Sequence, residues 1–224
     1  MRTRLAHRVA AERRGQRGSI LVEMALVLPF LFVLLIATFE IGMGWRTSVT
    51  SSNSARAAAR VSSYQGTGYQ ADYAALISLA SAMQSASRAT IVKVIIFKAT
   101  SGSSTVPAAC LALTPSTSFT APTGLNTASA KCNVYSGTQV NAISAGTLAT
   151  TAFGNGANTA GNCLSTKLDY YWCPYGRENS QAAGMDFVGV YLQVSNATFS
   201  KLLGTSFTIR DTQIMQIEPS ATGA

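Results

Sequence analysis

The sequence predicts an α+β protein: a long N-terminal transmembrane helix, a second helix, an antiparallel sheet of three or more strands and a disulfide-tied loop region. Three observations carry that prediction. The run from Ile20 to Phe39 is apolar apart from one charge, Glu23. Three later stretches, 91–98, 187–194 and 207–217, are rich in β-branched residues and long enough for strands. All four cysteines fall between positions 110 and 173, inside a stretch rich in Ser, Thr, Ala, Gly and Asn.

Composition narrows the function classes. Of 224 residues, 47% are hydrophobic and 12% charged, about half the roughly 25% charged residues of an ordinary soluble domain. That balance argues against a disordered chain and against an ordinary cytosolic enzyme. The net charge of +8 is mostly a property of the tail. Arg2, Arg4, Arg8, Arg13, Arg14 and Arg17 face only Glu12 there. The body has no basic stripe with interleaved aromatics, so nucleic acid is not an expected partner. The one histidine, His7, lies in the same tail. This leaves no histidine to activate a serine beyond it. No phosphate loop, HExxH or calcium loop is present, and Gly154–Gly161 does not fit the dinucleotide spacing. The expectation is a protein that is not an enzyme and uses no cofactor or metal.

The first element is the membrane span. At 1.5 Å rise per residue, a helix over Ile20–Phe39 covers roughly 30 Å, the thickness of a bilayer core. Positive flanks stay on the cytoplasmic side. A single pass through the cytoplasmic membrane therefore leaves the N-terminus inside and the C-terminal domain extracytoplasmic. A cleaved secretory signal is the alternative, but the apolar run exceeds an h-region, and Ile36–Glu40 offers no small-x-small site. Glu23 is a functional candidate because a lone carboxylate in a membrane helix is costly. The plainer reading has it reaching the nearby interface. Pro29 removes an N–H and crowds the carbonyl of Ala25, which predicts a kink; membrane helices also simply tolerate proline.

The stretch Arg17-Gly18-Ser19-Ile20-Leu21-Val22-Glu23-Met24-Ala25-Leu26-Val27-Leu28-Pro29, with Phe39-Glu40-Ile41-Gly42, resembles the TadE-like family of tight-adherence (Tad/Flp) pilus assembly. The resemblance implies a pilin-like fold and a non-enzymatic minor pilin or pseudopilin that helps assemble or initiate a type IV-like pilus. It implies that a prepilin-type peptidase cuts between Gly18 and Ser19. Glu23, then the fifth residue, would meet the N-terminal ammonium of a neighbouring subunit as a register device. The implied partners are that peptidase, other minor pilins, the major Flp-type pilin, the pilus membrane platform and the lipid bilayer. One departure is Met24, where pseudopilins of this system often carry an aromatic residue. A signal-anchored ligand-binding or adhesion module, uncut by the peptidase, is the other reading.

Residues 1–18 then form a basic cytoplasmic leader. Residues 19–62 form the transmembrane helix, continuing outside the membrane because 45–62 contain no proline or glycine. Residues 63–224 form an extracytoplasmic α+β domain with a loop insertion at 99–185. Arg56 and Arg60, one turn apart, read as a solvated face, and Gly66 and Gly68 break the helix. Tyr69, Tyr73, Leu76, Ile77, Ala80 and Met83 make one apolar stripe of a second helix, whose first turn suits Asp72. The strand at 91–98 is apolar on both faces, as a covered or central strand is. Val188, Val190, Leu192 and Val194 share one face of another. The alternation of 207–217 falters at Arg210–Asp211, which predicts a bulge. Between these two, Asn196 is positioned to cap a short helix ended by Gly204.

Outside the membrane, cysteines pair. Four allow three connectivities, and neighbours in sequence close most cheaply, which favours Cys110–Cys132 and Cys163–Cys173. A four-cysteine zinc site lacks any CxxC pair. The cluster Tyr170-Tyr171-Trp172-Cys173-Pro174-Tyr175 reads either as a small core against a disulfide or as an exposed adhesive patch.

Overall fold

The computed structural model describes residues 2–119, 123–127, 130–154, 163, 166–201 and 204–219, with side chains from Ser19 onward. The chain divides into two compact units, Met1–Gly44 and Trp45–Ala224. The long helix α1 (Arg2–Gln65) contributes to both. In the first unit, every side chain from Ser19 to Leu35 is exposed. The helix from Ser19 is long and apolar enough to cross a membrane, with a mean hydropathy of 2.8 over its most apolar window.

The second unit contains α2 (Ala71–Met83), β1 (Ala89–Ala99), α3 (Ala108–Ala112), β2 (Gly124–Asn126), β3 (Lys131–Ser136), α4 (Gly137–Ser144), β4 (Phe187–Ala197) and β5 (Ser206–Gln216). The strands form one antiparallel sheet in the order β2-β3-β1-β4-β5. The fold class is α+β, as expected, with a long apolar helix, a second helix and two disulfides.

The apolar run of β1 explains its place. It is the middle strand, so both faces are covered and Val94, Ile95, Ile96 and Phe97 are fully buried. One face of the sheet, with Val94, Ile96, Val188, Val190, Leu192 and Val194, joins a core with Ala55, Ala58 and Ala59 of α1 and Leu76 and Leu79 of α2. The alanines and serines on that side of α1 keep the helix close to its neighbours. The other face, with Ile95, Phe97, Cys132, Val134 and Tyr191, packs against Val106 and Cys110. Gly189 of β4 is required here, because a Cβ at that position would stand 2.3 Å from the Phe97 ring. Gly66 ends α1 with φ +51, its N–H donating to the Ser62 carbonyl at 3.1 Å.

Several expectations need correction. Residues 99–185 are not a loop insertion alone. They supply α3, β2, β3 and α4, and β3 pairs with the central strand. The strand β3, KCNVYS, is short and carries polar residues that are buried because they are hydrogen-bonded, Asn133 and Tyr135 both donating to Asp72. The bulge lies in β1 and not at Arg210–Asp211: β4 and β5 pair without a break, whereas the β1–β4 register shifts between Ile91 and Lys93. The extra residue, Val92, lets Ile91, Val94 and Ile96 all reach the same core. Asn196 caps no helix; it lies in β4, and its Oδ1 accepts from the Thr47 hydroxyl at 2.9 Å. Of the predicted α2 stripe, Leu76, Ala80 and Met83 are buried, while Ile77 is exposed and Tyr69 lies before the helix. Pro122, Asn155–Asn162 and the side chains of 1–18 lie outside the described residues.

Candidate functional site

Two places on the chain carry chemistry beyond packing, one singled out by the sequence and one not. The first is the stretch from Gly18 to Pro29. The Gly18–Ser19 bond lies within α1. Ser19 and Glu23 are one turn apart, about 6 Å along the axis at 1.5 Å per residue. Both are exposed on the helix surface. Glu23 is flanked by Ile20, Leu21, Val22 and Met24, each more than half exposed. A carboxylate in such a collar loses its hydration when the collar enters lipid or a bundle of like helices. α1 is unbroken through Pro29, which is also exposed, so helical backbone persists where an N–H is missing.

The second place is the polar centre of the head, which sequence reading did not find. Asp72 and Arg177 form an ion pair at 2.5 Å, and both side chains are fully buried. The second oxygen of Asp72 accepts from Asn133 Nδ2 at 2.9 Å and from the Tyr135 hydroxyl at 2.8 Å. Asn133 also donates to the Trp172 carbonyl and accepts from the Trp172 N–H, both at 2.9 Å. The Arg177 guanidinium lies 4.1 Å over the Trp172 ring and donates to Ser62 Oγ at 3.2 Å. One cluster thereby ties α1, α2, β3 and the segment 172–177 together.

Beside it, Asp169 accepts from the Gly154 N–H at 2.8 and 3.1 Å through its two oxygens. Burial, and next the charge of Asp72, push its carboxyl up to about 7; the Gly154 hydrogen bonds pull the other way. Burial likewise raises the Tyr135 hydroxyl well above its ordinary value, helped by Asp72 and Asp169. Such a cluster acts as a clamp: breaking a buried pair leaves an uncompensated charge, whereas the intact pair mainly fixes one arrangement. Among the described residues no three His, Cys, Asp or Glu side chains come together as a metal site.

The cysteines are joined as Cys110–Cys132 and Cys163–Cys173. The first links α3 to β3 on one face of the sheet. The second sits beside the polar centre, and a Cβ on Gly154 would come 2.7 Å from the Cys163 sulfur. The aromatic cluster divides: Trp172 is core, Tyr170 and Tyr171 are half-buried, and Tyr175 is exposed and stacked on Tyr69 with ring centroids 5.3 Å apart. A signal for the polar centre existed in Asp72, an acid on an otherwise apolar helix, but its partner Arg177 is distant in sequence.

The family model for TadE-like proteins matches residues 18–60. The resemblance read from Gly18, Glu23 and the apolar run is therefore shown for that segment, which holds Ser19 and Pro29 but neither the cysteines nor the polar centre. No curated protein and no solved structure matches the chain.

Proposed function

We propose that this chain is a non-enzymatic, membrane-anchored minor pilin or pseudopilin that helps assemble or initiate a tight-adherence (Tad/Flp) pilus. The observation that carries the reading is the match over residues 18–60 to TadE-like proteins, coinciding with an apolar helix that holds one carboxylate five residues after a glycine. In this reading residues 1–18 are a cytoplasmic leader, α1 anchors the chain once through the cytoplasmic membrane, and the α+β head works outside it. Trp45 stands at the outer interface, where indole rings are favoured.

A prepilin-type peptidase cuts after Gly18 and frees the ammonium of Ser19. Glu23 of one subunit then meets the ammonium of a neighbour inside the apolar phase. An unpaired ion there is far costlier than in water, so a misplaced subunit is penalised more than a correctly placed one is rewarded. Glu23 thus sets register, and the apolar surface of the helix supplies adhesion to lipid and to other pilins. The head's clamp and disulfides keep it folded in an oxidising compartment.

N-terminal sequencing of the full-length product from its native host tests the proposal. The mature chain is expected to begin at Ser19 when the cognate peptidase is active and at Met1 when it is inactivated. A chain that keeps Met1 in both cases overturns processing and favours the uncut, signal-anchored binding module.

A further inference from the structure

The outer part of α1 presents two unlike sides. Ser51, Ser54, Ala55, Ala58, Ala59 and Ser62 are buried. On the opposite side Trp45, Val49, Asn53, Arg56, Arg60 and Tyr64 are all exposed. At 3.6 residues per turn these six fall within an arc of about 100°, in a straight stripe roughly 28 Å long. Trp45 is 74% and Tyr64 72% exposed, and Val49 is 46% exposed. Apolar side chains at both ends of a charged stripe are not what a merely solvated helix face needs.

The charges are equally unbalanced. Residues 45–65 contain no aspartate or glutamate. Arg56 and Arg60, spaced as like charges that oppose helix formation, make no ion pair among the described residues; the ion pairs there are Lys98–Asp186 and Arg177–Asp72. A basic centre flanked by aromatic ends is the composition of an interface anchor, where Trp, Tyr and Arg are enriched.

We propose that this stripe is a docking face for a helix of a different protein that presents carboxylates to Arg56 and Arg60. A second copy fits poorly, because pairing the stripe with itself sets arginine against arginine with no acid to intervene. A lipid surface also fits poorly, given the placement of Trp45 at the membrane interface under the proposed function. Arg56 and Arg60 then stand about 16 and 22 Å further along the helix, beyond the few ångströms of headgroup outside a bilayer core. A partner helix of about the same length covers the whole stripe, with Tyr64, one turn from Arg60, shielding the ion pairs from water.

The test uses the full chain in native membranes. R56K and R60K each place a primary amine on the stripe, and a water-soluble carbodiimide couples amines directly to contacting carboxylates. Peptide mapping is expected to find the introduced lysine joined to an aspartate or glutamate of another polypeptide. The yield should drop several-fold at about 1 M salt, where the screening length is about 3 Å. R56E/R60E should abolish co-isolation of that partner, and lysine at the mapped acid should restore it. A link to a second copy, no link at all, or failure of the charge exchange overturns the inference. None of these outcomes touches cleavage at Ser19, so failure here is distinguishable from failure of the proposed function. Intact Cys110–Cys132 and Cys163–Cys173 bonds in every variant verify folding.

Discussion

The segment from Ser19 to Leu35 and the head from Trp45 onward follow opposite rules. The first turns Leu, Ile, Val and Phe outward around a helix and exposes all of them. The second places Asp72, Arg177, Asn133 and Asp169 at its centre, none more than a few per cent exposed. Both obey the same transfer energetics with different surroundings. The apolar helix is incomplete without an apolar environment. The head pairs its buried Asp72 and Arg177 with each other. The segment with unmet needs lies within the stretch 18–60 that matches a known family, a stretch that also takes in the first residues of the head.

The contrast breaks most severely at the ion pair. R177A leaves Asp72 buried without its cation, and the head is expected to lose about 3–5 kcal/mol. Denaturant unfolding of the full chain in detergent, followed by the fluorescence of buried Trp172, measures this. A loss below 1 kcal/mol would mean that water reaches the cluster.

A smaller effect comes from pH. Asp169 titrates at about 7 in the folded head against an ordinary 3.8. The folded state therefore holds an extra proton between about pH 4 and pH 7, and stability falls as pH rises through that window. The same unfolding measurement should show about 2–3 kcal/mol more stability at pH 5 than at pH 8. D169N should flatten the slope, since an amide oxygen still accepts from Gly154. An unchanged slope in D169N would assign the pH dependence elsewhere.

The smallest effect on the head is expected from E23A, within about 0.5 kcal/mol of the parent. The variant should still insert into membranes, because it removes a costly charge. Counting surface fibres is the informative readout: fewer pili with an intact head places Glu23 in assembly, and normal numbers remove it from the mechanism.

Periodicity made part of this molecule legible. Ile20–Phe39, the apolar 91–98 and the alternating Val188–Val194 announced the apolar helix, the central strand and its neighbour through patterns each contains within itself. The parts that stayed hidden depend on distant partners. β3 is polar because Asn133 and Tyr135 bind Asp72, which no local pattern reveals. α4 did carry a local signature, the reciprocal Ser136–Gln139 capping box, but it opens a helix of only eight residues in a Ser- and Thr-rich stretch. The bulge at Val92 escaped because an unbroken β-branched run conceals an extra residue, while the charged Arg210–Asp211 pair looked irregular and pairs regularly. The place of Asn196 in a long strand followed from pairing with Phe207, again a tertiary matter.

The central strand β1 is made early, yet its neighbour β4 ends at Ala197. The sheet can therefore close only once residues up to about position 197 are available. The two sulfur bridges span only 22 and 10 positions, and all four cysteines precede β4, so neither bridge needs the closing strands in place to form. Their use of neighbouring cysteines gives a chain emerging from its N-terminus two local fasteners that need no rearrangement once β4 and β5 arrive.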